Sequence, residues 1–265
     1  MSTELEAARP AQGISSIFWL LIGAFAFSGA ALAAGDIGAV GVFVFVFIGW
    51  IVSLCLHEWG HAATAWAGGD RSVEERGYLT LNPLKYANPL LSIVMPLVFL
   101  AMGGIGFPGG AVYVNPGALR GPLWRASVSA AGPMMNLVCL IAIGLAVSTL
   151  DKYDNPGPFV AALGFLAFLQ ATAFVLNLLP VPGLDGFGIL QAVLPDSARA
   201  LVARFSGLTL ILFLVIMIAA PQVLTPVWAA ALALCDVVGI SRESIVAGLE
   251  QFRFWQAPSD PFAGG

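Results

Sequence analysis

Long apolar runs broken by short polar stretches set the plan of the chain. Near-continuous hydrophobicity covers about 14–34, 37–67, 127–150, 157–180, 202–220 and 224–240, with a shorter run at about 90–106. A helix rises 1.5 Å per residue and the hydrocarbon of a bilayer is about 30 Å thick, so roughly 20 such residues cross it. The pattern predicts an all-α polytopic membrane protein with about six transmembrane helices.

The polar positions orient these helices. With both termini cytoplasmic and six crossings, Lys152 alone of the eleven basic residues lies outside, as the positive-inside bias favours. The same arrangement puts the basic residues on either side of 90–106 at one face, so that run is expected to be re-entrant. Pro96 and the Gly103 to Gly110 stretch supply a place to turn back. Two flanking stretches, Ser72 to Leu81 and Ala111 to Val114, read as strands. They are expected to pair in a small β-sheet near the cytoplasmic face, whose free edge is open to strand addition by a substrate.

The chain thus divides into a cytoplasmic N-terminal tail (1–13), a membrane unit (14–240) and a cytoplasmic C-terminal tail (241–265). Glu4 and Glu6 make the start acidic, which favours a retained first helix over a cleaved signal. The C-terminal tail is expected to begin as an amphipathic turn or two, with Phe252, Phe254 and Trp255 at the membrane interface, and to end disordered.

Composition sharpens this picture in three ways. Hydrophobic residues make up 59% and charged residues 10% of the 265, which fits an integral membrane protein in contact with the lipid bilayer. The net charge of -4 and the lack of a basic run leave no case for nucleic acid. Cys55, Cys139 and Cys235, odd in number and far apart, imply no disulfide framework.

Both histidines of the chain fall in one apolar stretch, His57-Glu58-Trp59-Gly60-His61. On a helix, imidazoles four residues apart share a face, and Glu58 sits one residue round from His57. Two neutral imidazoles can fix a zinc ion and leave room for a third protein ligand and a water, from which the glutamate takes a proton. Charged groups are costly inside hydrocarbon, roughly 2.5–3.5 kcal/mol each at a helix centre, so a cluster of them there signals function. With no third histidine, the third ligand is expected to be a carboxylate. Asp70, Glu74, Glu75, Asp185, Asp196 and Glu243 lie on the inner side. Asp185 alone follows a long apolar span in a Gly- and Pro-marked break, and the topology brings it to the face of His57 and His61.

His57 to His61, Ala131-Gly132-Pro133-Met134-Met135-Asn136 and Asn177 to Gly186 together resemble the site-2 protease family, the intramembrane zinc metalloproteases. The block Gly77 to Lys85 is similar to the form of the family with an extra segment between the zinc helix and the Ala-Gly-Pro helix, and no PDZ or CBS domain is present. The resemblance implies one Zn²⁺ held by His57, His61 and Asp185, with Glu58 as the catalytic glutamate. It implies a role for Asn177 in steadying the polarised carbonyl or the bound water, and for Asn136 either a catalytic role or a bond that ties two helices. Tyr86 stands where many relatives have a histidine. The activity implied is zinc-dependent cleavage of single-span membrane proteins within the bilayer, in a bacterial inner membrane. Two rivals stand beside it, a metal or ion transporter and an inactive protease-like scaffold.

Overall fold

A computed structural model describes residues 13–86, 112–150, 157–195, 197–198, 209, 212–213, 215–217 and 219–256. Among them, four helices are long and apolar enough to cross a membrane: α1 (Ser16–Ala34), α2 (Ala39–Gly68), α5 (Pro122–Leu150) and α6 (Pro158–Asn177). Between α2 and α5 the described residues include two single-turn helices, α3 (Ser72–Glu75) and α4 (Pro83–Tyr86). After α6 come α7 (Asp185–Gln191), α8 (Thr225–Val237) and α9 (Arg242–Phe252).

The central element is α6. It is apolar on every side, and Leu169, Gln170, Ala171 and Thr172 in its middle are wholly buried. A helix without a polar face is stable only when surrounded. Here α2, α5, α8 and α9 close around it. Phe45, Trp50, Leu140, Phe165 and Leu166 fill the space between. The outward faces of α1 and α5 stay apolar too, with Leu20, Phe27, Leu123 and Leu145 exposed, which suits contact with lipid rather than water.

The expected small β-sheet is corrected. No strand occurs among the described residues, and Ser72 to Leu81 instead forms α3 and a short 3-10 turn at Tyr78–Thr80. The reason is local. Asp70 Oδ1 accepts from both the backbone N–H and the hydroxyl of Ser72, which starts a turn. Gly77 at φ 76 and Leu81 at φ 57 then take the left-handed conformation that an extended strand excludes. Residues 112–115 have no regular structure; Val112 and Asn115 give their backbone N–H groups to the side chains of Glu58 and Asp70.

Six crossings are not supported either. The run at 202–220 is described only in part, and the re-entrant call for 90–106 lies outside the described residues. The run at 224–240 yields α8, 13 residues long, which at 1.5 Å per residue reaches only about 20 Å. The chain then bends by 117° into α9. Ser241 restarts the helix there by accepting from the Ser244 N–H.

Helix α9 belongs to the core rather than to a tail. A Cβ on Gly248 would overlap Ala161 of α6, so the two helices meet backbone to backbone. Phe252 is fully buried, its ring 5.2 Å from Phe165 and 5.0 Å from Phe43, while Phe254 and Trp255 keep partial exposure. Phe43 lies near the start of α2. At the other end of the chain, Ser15 donates to the carbonyl of Thr80, which follows the end of α2. The described ends of the chain therefore lie toward opposite ends of α2, about 45 Å long by its rise.

Candidate active site

Two contacts bring the motifs together. Helices α2 and α5 meet where a Cβ on Gly60 would strike the Ala131 carbonyl, and where Gly132 lies directly against the imidazoles of His57 and His61. Any side chain on Gly132 would occupy the space of those rings, which is the physical use of the Ala-Gly-Pro motif. Pro133, inside α5, has no N–H for the carbonyl of Ser129 and weakens the helical ladder at this turn. At that level the Val128 carbonyl accepts from His61 Nδ1 at 2.7 Å.

His57 Nδ1 is committed in the same way, donating to Asn136 Oδ1 at 2.6 Å. Each ring thus carries its proton on Nδ1 and turns a lone pair on Nε2 inward, the form that binds metal. The two Nε2 atoms stand 3.1 Å apart. Asp185, the first residue of α7, meets both: Oδ2 is 3.3 Å from His57 Nε2 and Oδ1 is 3.3 Å from His61 Nε2.

Three lone-pair donors in mutual contact repel unless a cation sits among them. Ligands about 2.0–2.1 Å from a tetrahedral zinc stand about 3.3–3.4 Å from one another. The observed 3.1 and 3.3 Å separations fit that spacing. His57, His61 and Asp185 are the group of potential metal ligands found among the described residues. Of the other carboxylates considered, Asp70 holds Ser72 and Asn115, and Glu74 accepts from the Trp66 indole N–H. Asp196 lies outside the described residues.

Glu58 follows His57 on α2 and is 3% exposed. Its Oε2 accepts from the Val112 N–H at 3.1 Å, so the irregular 112–115 stretch runs over the site and holds the carboxylate from above. Asn177, at the end of α6, is equally buried, and its Nδ2 has no hydrogen-bond partner. It lines a cavity with His57, Asn136 and Ser53, about large enough for one water. Tyr86 donates its hydroxyl to the Tyr78 carbonyl, a packing bond within the 78–86 turn.

Relatives place these residues in a family. Two proteins named "Putative zinc metalloprotease Rip2" match nearly end to end: that of Mycolicibacterium smegmatis at 45% identity, over 95% of this chain and 96% of its own, and that of Mycobacterium tuberculosis strain H37Rv at 44%, over 94% and 96%. The chain belongs to the site-2 protease family. A Bacillus subtilis protein named "Putative zinc metalloprotease YwhC" is 31% identical over 63% of this chain and 77% of its own. No family model matches the chain, and no solved structure does. The three motifs of the site-2 protease resemblance converge on one point: His57 to His61 on α2, Asn136 on α5, and Asn177 and Asp185 at the two ends of the α6–α7 connection.

What the sequence reading missed is the support behind the ligands. Asn136 Nδ2 donates to Gln170 Oε1 at 2.9 Å, Gln170 Nε2 donates to Ser53 Oγ at 2.8 Å, and Ser53 donates to the Trp50 carbonyl at 2.8 Å. Gln170 did carry a signal, a buried amide in the middle of an apolar span. Removing such an orienting partner costs 10–100-fold in metal affinity in comparable sites. Asn136→Ala should therefore weaken zinc binding by about that factor, read by competition with a chromogenic chelator; an unchanged affinity would deny Asn136 its orienting role.

Proposed function

We propose that the chain is a zinc-dependent intramembrane endopeptidase, with one Zn²⁺ held by His57, His61 and Asp185 and with Glu58 as the proton carrier. The observation that carries this reading is the meeting of both Nε2 atoms with the Asp185 carboxylate beside a buried glutamate that no cation neutralises among the described residues. Zinc bound there would polarise a peptide carbonyl and lower the pKa of a water toward about 7.

Every other step falls to side chains of this chain. Glu58 takes a proton from the attacking water and returns it to the leaving amine, held in place by Val112. Asn177, whose amide protons have no partner, donates to the oxygen on which negative charge grows. Asn136 acts through His57 and is a positioning residue. The transporter reading gains nothing from the structure, because among the described residues the potential metal ligands form one cluster, His57, His61 and Asp185. The intact Glu58 disfavours an inactive scaffold.

The substrates are single-span membrane proteins, locally unwound, since a helix hides its carbonyls in its own hydrogen bonds. Arg71, Arg76, Arg120 and Arg125 surround the end of α2 nearest the site, so that end faces the cytoplasm of a bacterial inner membrane. By this topology residue 15 is cytoplasmic and residues 253–256 lie toward the opposite face, unlike the shared side expected from six crossings and the placement of the basic residues. The direction of α8 accounts for the change: its start packs with Leu176 at the cytoplasmic end of α6 and its end lies against Gly144 of α5, so it runs away from the cytoplasmic face.

The test is metal content with cleavage. Purified protein should bind one zinc per chain and cut a single-span reporter in liposomes, and a chelator should stop the reaction until zinc is restored. Asp185→Ala should lose most of the metal. Full zinc occupancy in that variant would remove Asp185 from the ligand set.

A further inference from the structure

Beside the metal ligands lies a second and larger cavity, a cleft of about 300 Å³. Val114 and Leu119 line one wall, Arg125, Val128 and Ser129 of α5 the floor, and Gln191 of α7 the far side. The cleft borders the candidate active site through two of its lining elements. The carbonyl of Val128 accepts from His61, and α7, which supplies Gln191, begins with Asp185.

Along α5 the order is instructive. Arg125, Val128, Ser129 and Gly132 fall at spacings of three, four and seven and share one helix face. Gly132 touches both imidazoles. Seven residues of helix amount to about 10.5 Å. Arg125 and Gly132 therefore mark the two ends of a track along α5 that leads to the two imidazoles.

Among the described residues Arg125 is also without a counter-charge. Its Nε is buried and has no hydrogen-bond partner, and the ion pairs of the described residues leave it out. Arg76 and Arg120, by contrast, lie over Tyr113 and Trp124. A guanidinium whose buried donor is left unmade is costly unless a carboxylate or similar group arrives to meet it.

We propose that this cleft is a specificity site in which Arg125 pairs with an acidic side chain of the substrate, about three residues from the scissile bond. The register follows from the track, because an extended peptide covers about 3.3–3.4 Å per residue and spans 10.5 Å in about three. The apolar wall of Val114 and Leu119 takes the stems of the intervening residues. Since Arg125 lies near the start of α5, at the arginine-rich end, the acidic residue belongs to the cytoplasmic flank of the substrate's membrane segment. The proposal deepens the protease reading and rests on it.

The experiment uses single-span reporters in phosphatidylcholine vesicles, which supply no anionic headgroup. The reporters differ only in Glu, Gln or Lys at positions two to four residues on either side of the cut. The parent protein should cleave the Glu reporter of one register roughly tenfold or more faster in kcat/KM than the Lys reporter, the scale of one charged hydrogen bond. Arg125→Glu should invert that order, and Arg125→Lys should keep its sign. Equal rates for Glu and Lys at every register would overturn the proposal, as would an order that Arg125→Glu leaves intact. If activity instead rose only on adding anionic lipid, with no dependence on reporter charge, the cleft would be a headgroup site and the proposal would fall.

A separate arm tells failure of this proposal from failure of the protease reading. Fluorescent peptides with Glu or Lys in the same register are titrated onto Glu58→Gln protein. Binding that favours the Glu peptide, with the preference inverted by adding Arg125→Glu, supports the specificity site even if no reporter is cut. Indifference to peptide charge overturns it.

Discussion

Glu58→Gln should keep one zinc per chain and slow peptide hydrolysis by a factor of roughly 10²–10⁴, the range for loss of a positioned acid–base group. The substitution isolates one property. Glutamine has the shape of glutamate and an oxygen that can accept from the Val112 N–H, so the contact that holds the side chain at 3.1 Å is preserved. It is not one of the three groups that meet at the metal position, so metal content should not change. What it lacks is the capacity to take up a proton and return it. Zinc content by elemental analysis, beside kcat/KM for a single-span reporter, separates the two quantities. A variant that cuts as fast as the parent would end the assignment of Glu58, and one that loses zinc would move it among the ligands.

The second large effect comes from a residue with no side chain. Gly132→Ala adds one methyl group, and by intrinsic helix propensity alone that would stabilise α5 by up to about 1 kcal/mol. The position decides otherwise. A Cβ there would lie 2.6 Å from His57 Nε2 and would overlap His61 Nε2 still more closely. Neither ring is free to yield, because Asn136 and Val128 hold their far nitrogens. Either the helices separate, at an overpacking cost of about 1–3 kcal/mol, or the imidazoles turn and the ligand set is broken. Both routes lower zinc affinity, by at least the 100-fold that marks the upper end for loss of an orienting group. Equilibrium dialysis with zinc reads this directly. Parent-like affinity in Gly132→Ala would show that the helices are more loosely apposed than their contacts indicate.

The candidate site residues were legible because their chemistry is rare in such a setting. A His-Glu-x-x-His stretch in an apolar run and a carboxylate after a Gly- and Pro-marked break needed only a topology to be joined, and Asp185 stands where that topology put it. The long helices were legible for the related reason that hydrocarbon admits few alternatives. Local structure at the polar margin was not. Ser72 to Leu81 has the residue types of a strand, yet the side chain of Asp70 captures Ser72 and the left-handed turns at Gly77 and Leu81 follow. The acceptor for His61 could not be read at all, because Val128 serves through its backbone carbonyl, which every residue has. Likewise α9 is too weakly apolar along its length to announce a buried helix, and its contacts with Ala161 and Phe165 reveal one.

The polar circuit that leaves α2 at His57 passes through Asn136 and Gln170 and comes back to the same helix at Trp50 by way of Ser53. Three helices are thereby locked as one body around the pocket. The geometry of the candidate ligands is thus set by the contacts between the helices, and loading an ion should require no regrouping of the bundle.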